Sequence, residues 1–351
     1  MTPSNLISLE DLKPKFQDSP QRYNNWYFTT HFTHKDQDYL LKLAITEGSL
    51  LGQSNKLALS YEPLTLKDEP DARVLLKSKK DINDHQMEQE INYESDDEKV
   101  VVTMGNLTAI CKPDVRTIIS TDETLGAELT FTPRGPLFHW GNEPGAACQV
   151  TEETFVSGIE TLSDVKGTVS IRGKEIEIEG RGLFERVWFG QLNFFQIRTM
   201  DWMYGHFDEL FFYMCHSESV DNQGRPFHFE TGEVYLAPDD VLLHSKKFVF
   251  KPENWVFVQE ARRFVPFTQS VEVETDKGTL NLTAKMAHYP QWIQPPTRRL
   301  EQMTVANIPG WWSLFYDAPV TLEGEFKYND GKTLKLTGGK GINEIQRISP
   351  M

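Results

Sequence analysis

The chain alternates apolar and polar residues with a period of two over much of its length. The alternation is clear in "WYFTTHF", "YLLKLAIT", "KVVVTMGNLTAI" and "GTVSIRGKEIEIEG", and it is typical of β-strands with one buried face. Turn-forming residues separate the runs, as in "SDDEK", "TDKG" and "YNDGK". Helical periodicity is scarce, and only "SLEDLKPKF" indicates a short helix. The pattern predicts an all-β protein built from many strands, which favours sandwiches or barrels.

One motif occurs twice, each time at the end of a predicted hairpin. "GTVSIRGKEIEIEGRGLFER" and "VTLEGEFKYNDGKTLKLTGGKGINEI" both contain Gly-x-Gly-x-x-Glu, with the glutamates at Glu185 and Glu344. The heads of the two halves are also alike, since "NNWYFTTHF" matches "MDWMYGHF". A spacing of 159 residues (344 minus 185) is the length of a domain. We therefore predict two tandem antiparallel β-barrels, at residues 1–195 and 196–351.

The glycines of this motif have a structural explanation. Glycine within a strand permits bends and close backbone approach, which a closing barrel needs. The alternative, phosphate binding, requires a helix N-terminus after the glycines. No helical pattern follows either copy, so the structural explanation is favoured.

Composition and charge narrow the function classes. The formal net charge is −15 and the aromatic share is 12%, which argues against nucleic acid or an anionic membrane surface as a partner and for large apolar interiors. No apolar run approaches the roughly 20 residues of a membrane-spanning helix, and the first residues lack the pattern of a secretory signal. Three scattered cysteines favour a reducing, cytoplasmic location. The acidic stretch 81–99 is expected to be a solvated excursion between strands.

The order of several stretches resembles one known family. These stretches are "NNWYFTTHF", "GRGLFERVW", "MDWMYGHF", "HYPQW" and "PVTLEGEFKYNDGKTLKLTGGKGINEI". They are similar to stretches of the AttH-type, lipocalin-like proteins that include carotenoid 1,2-hydratase (hydroxyneurosporene synthase). More distantly, the chain resembles the decalin-forming Diels–Alderases of polyketide pathways. The resemblance implies two lipocalin-like barrels, an apolar pocket in or between them, and cofactor-free chemistry on a hydrophobic, often polyene, substrate.

The chain departs from this family at two places. Arg186 stands where the hydratase-like members usually carry histidine, and the segment "HFDELFF" looks shortened. Both departures put a water-adding activity in question. The site residues that the resemblance implies are those that match its motifs, namely Trp26, Glu185, Arg186, Trp188, Asp201 and Trp202.

Alternation in "FERVW" places Glu185 on one face of a strand and Arg186 and Trp188 on the other. A glutamate directed into an apolar barrel is able to hold a proton and to donate it to an alkene, enol or carbonyl. If Arg186 points inward instead, it provides an electrostatic anchor for a carboxylate or an acyl oxygen. The alternative is a structural ion pair at the barrel junction. Glu344, which repeats the motif, favours that alternative.

Two aromatic stretches supply the other candidates. In "DWMYGHF", Trp202, Tyr204 and His206 share one face and Asp201 lies on the other. Tyr204 and His206 are candidate proton donors or relays, and the alternative is a barrel strand whose aromatics are core. In "NNWYF", either a ligand-stacking role or an interior plug would account for the tryptophan, and Tyr27 faces the opposite way. We predict that the four aromatic residues bind substrate: Trp26, Tyr27, Trp188 and Trp202.

No cofactor or metal is predicted. His31 and His34 fall on opposite faces of a strand, whereas His228 and Glu230 share a face, and two ligands are fewer than a metal site needs. The sequence has no Gly-x-Ser-x-Gly elbow and no Walker loop. The favoured hypothesis is a cofactor-independent enzyme that cyclises, isomerises or hydrates a hydrophobic polyene, terpenoid or polyketide-like substrate. The alternative is a carrier of a lipid-like ligand, and the oligomeric state is left open.

Overall fold

The computed structural model describes residues 6–48, 54–69, 72–76, 80–87, 90–191, 196–259, 263–292 and 311–350. One short helix, α1 (Leu9–Leu12), begins at Ser8, whose Oγ accepts a hydrogen bond from the Asp11 amide at 3.1 Å. A 3₁₀ turn spans Ala237–Asp239, and nearly all of the other regular structure in these ranges is strand. The expected all-β fold is confirmed. No helix in the described ranges is long and apolar enough to cross a membrane.

The strands, in chain order, are β1 (Tyr23–His34), β2 (Gln37–Gly48), β3 (Ser54–Ser60), β4 (Thr65–Glu69), β5 (Ala72–Leu76), β6 (Ile82–Met87), β7 (Ile91–Ser95), β8 (Val100–Met104), β9 (Leu107–Cys111), β10 (Arg116–Thr121), β11 (Leu125–Pro133), β12 (Phe138–His139), β13 (Cys148–Gln149), β14 (Phe155–Ile171), β15 (Lys174–Phe189), β16 (Ile197–His206), β17 (Leu210–Val220), β18 (Pro226–Leu236), β19 (Val241–His244), β20 (Lys247–Val258), β21 (Arg263–Glu274), β22 (Gly278–Met286), β23 (Gln291–Trp292), β24 (Trp311–Tyr328) and β25 (Thr333–Pro350).

The strands form two sheets whose orders repeat. The first sheet runs β6-β3-β2-β1-β15-β14-β11-β10-β9-β8-β7, and the second runs β19-β18-β17-β16-β25-β24-β22-β21-β20-β5-β4. In each sheet the long final hairpin, β14–β15 or β24–β25, pairs with the first strand of its half, β1 or β16. The repeated motif therefore lies on equivalent strands of two equivalent sheets, as the tandem repeat predicts.

The chain divides into two compact units, residues 1–61 with 82–194, and residues 62–81 with 195–351. The segment 62–81 thus leaves the first unit, which contains its neighbours in sequence, and joins the second. Strand β5 pairs in parallel with β20, and β4 pairs with β5. These two strands occupy the sheet position that β8 and β7 hold in the first sheet. The boundary predicted from sequence, 195/196, separates two continuous halves. The segment 62–81 belongs to the second unit although it lies within the first of these halves.

The acidic stretch 81–99 was expected to be an excursion, and this expectation is wrong. It contains β6 and β7, which are the two edge strands of the first sheet. Charged residues are common on edge strands because they discourage edge-to-edge association. The same charges weaken the apolar alternation by which a strand is identified from sequence.

The motif glycines permit close approach between backbones, as predicted. A Cβ atom at Gly182 would collide with the carbonyl oxygen of Thr29 on the neighbouring β1. Gly341, its equivalent in β25, faces the carbonyl of Tyr204 on β16 in the same way. Each glycine therefore lets the closing hairpin pair tightly with the first strand of its unit.

Each sheet buries an apolar inner face. In the first unit this core includes Trp26 and Phe28 of β1 and Phe184 and Trp188 of β15. In the second unit it includes Met203 of β16 and apolar residues of the other strands. The residues between these positions point outward, and the outward face of β1, β14 and β15 is also buried around Tyr27 and Glu185.

Candidate functional site

Arg186 points into the apolar interior of the first unit. Its guanidinium carbon lies 4.1 Å from the ring centre of Trp26 and 5.2 Å from that of Trp188, both of which belong to the core. A guanidinium over an indole face is stabilised by the ring quadrupole. Alternation in β15 therefore brings together three of the predicted site residues, Trp26, Arg186 and Trp188.

Oxygen atoms of the chain hold this guanidinium in place. Its Nη2 donates to the carbonyl of Lys13 and to Oδ1 of Asn24, both at 2.7 Å, and its Nη1 donates to the carbonyl of Val187 at 2.9 Å. Nε has no hydrogen-bond partner within the described part of the chain. Because Lys13 follows α1, and Leu12 packs in the core, Arg186 ties the N-terminal segment to the end of the barrel.

A second buried arginine, which the sequence analysis did not single out, lies near the first. Arg116 is fully buried 5.4 Å from the ring centre of Phe184, and its Nη2 donates to the carbonyl of Pro113 at 3.0 Å. Burial lowers the pKa of Arg186 to about 9 and that of Arg116 to about 10. Both side chains are therefore cations at neutral pH, inside an apolar core.

Glu185 lies on the opposite, outward face of β15. It is directly opposite Tyr27 on β1 and Glu160 on β14, and opposite residues of an antiparallel pair have Cβ atoms about 5 Å apart. Glu160 is 0% exposed and Glu185 is 8% exposed. Two carboxyl groups are thus buried side by side, a constellation that is uncommon unless the groups are paired or functional.

Hydrogen bonds fix both carboxyl groups. Asn25 Nδ2 donates to Glu185 Oε1 at 3.0 Å, and the hydroxyl of Thr46 donates to Asn25 Oδ1 at 3.0 Å. The indole nitrogen of Trp140 donates to Glu160 Oε1 at 3.0 Å. Donors held by neighbouring strands therefore orient the two acids, which leaves their geometry little freedom.

The buried polar surface around this pair extends along β1 and β2. Thr29 and Lys42 are opposite each other, share the outward face with Tyr27, and are both fully buried. Buried lysines are rare without partners, and Lys42 makes further interactions. The part of the outward face around Tyr27, Thr29 and Lys42 is therefore a buried polar surface, not a solvated one.

The second unit repeats the row that contains Glu185. On its outward face, Glu344 of β25 is directly opposite Trp202 of β16 and Asp317 of β24. Each unit thus has a row made of one aromatic residue followed by two carboxylates, Tyr27–Glu185–Glu160 in the first. Asp317 is fully buried and Glu344 is partly buried.

The predicted residues of "DWMYGHF" divide between two faces, as alternation requires. Trp202, Tyr204 and His206 point outward and are buried, with the rings of Trp202 and Tyr204 5.4 Å apart. Asp201 points inward, and both of its oxygens accept hydrogen bonds from Nη2 of Arg347 at 2.8 Å. Asp201 therefore belongs to a different environment from the aromatic residues beside it.

The predicted residues thus form four groups, two in each unit. In the second unit, Trp202, Tyr204 and His206 form one group and Asp201 stands apart from them. Trp26, Arg186 and Trp188 meet in the first interior, and Tyr27 and Glu185 meet on the first outward face.

Sequence reasoning missed Glu160, because an acid within the alternating run "VSGIETLSD" was not distinguishable from a solvated residue. Its register position opposite Glu185 depends on hairpin pairing, which the repeated motif indicates only in part.

An open groove of about 530 Å³ crosses the sheet of the second unit, and its polar lining includes Glu272, Glu323 and Lys335. None of the predicted site residues lines this groove. This groove is therefore not the candidate site.

Comparison with known proteins gives a clear result for the fold. No family model and no curated protein matches the sequence. Three solved structures are similar over nearly the whole of both chains. An AttH protein from Nitrosomonas europaea has 12% identity, coverage of 97% of this chain and 98% of that chain, and a TM-score of 0.60.

The other two are CghA, solved with Sch210972, and kievitone hydratase from Nectria haematococca. CghA has 9% identity, coverage of 100% and 96%, and a TM-score of 0.66. Kievitone hydratase has 10% identity, coverage of 100% and 95%, and a TM-score of 0.59. The resemblance inferred from the sequence is thereby confirmed in fold: the chain has the architecture of the AttH-type lipocalin-like proteins.

Proposed function

We propose that the protein is a cofactor-independent enzyme that acts on a hydrophobic polyene, terpenoid or polyketide-like substrate. The observation that carries the proposal is the buried pair Glu185 and Glu160, which lie opposite each other on β15 and β14. Two adjacent carboxylates in a low-dielectric environment resist ionising together. In the proposed mechanism one carboxyl serves as the acid and the other as the base within one site.

The chemistry that follows is proton transfer to and from carbon. Glu185 protonates an alkene, enol or carbonyl of the substrate, and Glu160 accepts the proton that a neighbouring carbon or an attacking water releases. The net reaction is a cyclisation, an isomerisation or a hydration, and no electrons are gained or lost. Tyr27, opposite Glu185, packs against the substrate and restricts its conformers, which lowers the entropic part of the barrier.

The comparisons support this class of reaction. One similar protein was solved with the small molecule Sch210972, and another is a hydratase. The resemblance of the motifs to carotenoid hydratases and to Diels–Alderases implies cofactor-free chemistry of the same kind. These are likenesses of fold and motif, and the paired acids supply the chemical basis in this chain.

The remaining predicted residues have secondary roles in the proposal. Trp26 and Trp188 are walls of the first interior, and Arg186 between them is an electrostatic anchor whose Nε is the donor available to a ligand. Trp202, Tyr204 and His206 form the equivalent surface in the second unit, with Tyr204 and His206 as proton relays. Asp201 is held by Arg347 and acts with neither group.

A carrier of lipid-like molecules is the alternative. The apolar interior of the first unit favours it, because Phe28 packs against both Phe131 and Phe184 with ring centres 5.2 and 4.9 Å apart. A carrier needs such aromatic walls but has no use for two buried acids. The role of Glu185 therefore separates the two functions.

The deciding experiment is native mass spectrometry of the full chain after incubation with an apolar extract of its source cells. We expect one apolar molecule per chain, followed by a product of changed mass or chromatographic retention. Glu185→Gln should slow that conversion by about 10²–10⁴-fold while binding is kept. Glu177→Gln, an exposed change on the same strand, should convert at the wild-type rate. Release of an unchanged ligand by all three proteins would establish the carrier.

A further inference from the structure

The inner face of the second unit changes from apolar to charged residues near the turn of the β17–β18 hairpin. Phe212 and Met214 of β17 belong to the apolar core, but the next inward positions of β17 are His216 and Glu218. Across the hairpin, His216 is directly opposite Glu230, and Glu218 is directly opposite His228. Two imidazoles and two carboxylates therefore form a square on one face, with the histidines on one diagonal.

We propose that this square is a binding site for a divalent transition metal, with Zn²⁺ as the ion that its donors fit. One ligand atom each from His216, Glu218 and His228 lies within 4.8 Å of the other two. His228 Nε2 is also 3.4 Å from Glu230 Oε1, so this carboxylate lies beside the three donors. Imidazole nitrogen and carboxylate oxygen in a set of three or four are the ligands that zinc takes in proteins.

The side chains require only a small adjustment to bind an ion. Ligands at the usual zinc distances on a tetrahedron are about 3.3 Å apart, and His216 Nε2 is 4.0 Å from Glu218 Oε1. The side chains of Glu218 and His228 are more than half exposed, so they are free to rotate and the ion reaches them from solvent. This edge contracts by less than an ångström in the proposed site, and the other edges, which are no longer than 4.8 Å, contract by at most about 1.5 Å.

A buried carboxylate stands behind the first histidine. Nδ1 of His216 is 3.9 Å from Asp201 Oδ2, and Arg347 holds Asp201 through two hydrogen bonds of 2.8 Å. A carboxylate on the far nitrogen of a metal-binding imidazole fixes the ring and raises its basicity. In the proposed site a small rotation of His216 brings Nδ1 within hydrogen-bond distance of Asp201, which then acts as a positioning residue that directs Nε2 toward the ion.

This site is separate from the paired acids of the proposed function, and its existence does not depend on them. Its three donors join β17 to β18 close to the turn at residues 221–225. An ion that binds the folded hairpin and not the unfolded chain raises the melting temperature, and the rise grows with the logarithm of the ion concentration above the dissociation constant. The bound ion would hold β17 and β18 together at this end of the second sheet.

The test is titration of the chelator-treated full chain with ZnCl₂ by calorimetry, and with Co²⁺ by visible absorption. We expect one ion per chain and a rise in melting temperature with Zn²⁺. His228→Ala, a change at a half-exposed side chain that the fold tolerates, should weaken binding at least 10-fold. Asp201→Asn should weaken it by about 10–100-fold while the stoichiometry stays at one.

The matched control is His244→Ala, which removes another exposed histidine of the same sheet that lies 2.9 Å from a glutamate, Glu233. This variant should bind Zn²⁺ like the wild type. The proposal is overturned if the wild type shows no saturable binding of one ion. It is equally overturned if His228→Ala binds as tightly as wild type, or if His244→Ala weakens binding as much as His228→Ala, since scattered surface histidines would then account for it.

Discussion

The guanidinium of Arg186 shows how a single buried charge organises one end of the first unit. It stacks on Trp26 and donates hydrogen bonds to Lys13, Asn24 and Val187. The Trp26 indole nitrogen in turn donates to the Leu12 carbonyl at 3.1 Å. The N-terminal segment is therefore held to the barrel by two residues that the sequence analysis assigned to substrate.

We expect Arg186→Met to release this segment. Methionine keeps the apolar contact but removes the guanidinium donors to the Lys13 and Val187 carbonyls and to Asn24 Oδ1, and the free energy of unfolding should fall by about 2 kcal/mol. In hydrogen exchange, the amides of residues 9–15 should exchange faster than in the wild type. Lys174→Met, an exposed change at the start of the same strand, should leave both quantities unchanged. Equal protection of residues 9–15 in the two variants would show that Arg186 is not their tether.

Sequence reasoning predicts individual residues well where alternation alone decides the outcome. The opposite orientations of Glu185 and Arg186, and of Asp201 and Trp202, follow from the period of two and are observed. Partners are a different matter, because Glu160 becomes a neighbour of Glu185 only through pairing of β14 with β15. Such a partner depends on register, and register is not contained in the local pattern of either strand.

At the scale of the strand, the repeated glycine motif determines how tightly each closing hairpin pairs. In β15 a side chain at Gly182 has no room beside the Thr29 carbonyl. The strand must therefore shift or lose ladder hydrogen bonds when a methyl group is added there. The same requirement at Gly341 explains why the motif occurs in both halves.

We expect Gly182→Ala to lower the free energy of unfolding by about 1–3 kcal/mol, the usual cost of overpacking a close contact. The measurement is chemical denaturation of the full chain. Thr168→Ala on β14, the strand on the other side of β15, provides a control in a partly exposed position and should cost less than about 0.5 kcal/mol. A Gly182→Ala protein as stable as the control would mean that β1 and β15 do not approach closely at this point.

Elements with clear alternation were predictable, whereas the charged strands β6 and β7 were not. Their sequence, "INDHQM" and "INYES", carries polar residues where a buried strand would have apolar ones. That composition suits a strand only at the edge of a sheet, where charged residues discourage edge-to-edge association. Position within a sheet is a property of the assembled unit, which is why the local pattern was misleading.

At the scale of the whole molecule, the segment 62–81 belongs to the second structural unit although it lies within the first half of the sequence. Leu75 of β5 is completely buried among core residues of the second unit, including Val256 and Val258. Its neighbour Leu76 is 38% exposed. These adjacent leucines allow a direct test of which unit the segment stabilises.

We expect Leu75→Asp to destabilise the second unit by at least about 3 kcal/mol, because it places an uncompensated charge in an apolar core. Hydrogen exchange should show lost protection in β20 and β21, although the substitution lies in the first quarter of the chain. Protection in β1 and β15 should be retained. Leu76→Asp should have little effect on either unit, and loss of protection confined to β1 and β15 would contradict the assignment of 62–81.

The same segment has a consequence for protein synthesis. Strand β5 ends at Leu76 and its partner β20 begins at Lys247, so 170 residues (246 minus 76) are translated between them. At about 5–20 residues per second, the interval is roughly 9–34 s. All strands of the first unit have been translated once β15 ends at Phe189, so that unit is then able to fold, while β5 is paired only with β4. A ribosome-bound chain of this protein therefore exposes an apolar strand edge for many seconds. Protection of that edge from aggregation by a chaperone matters most at this stage.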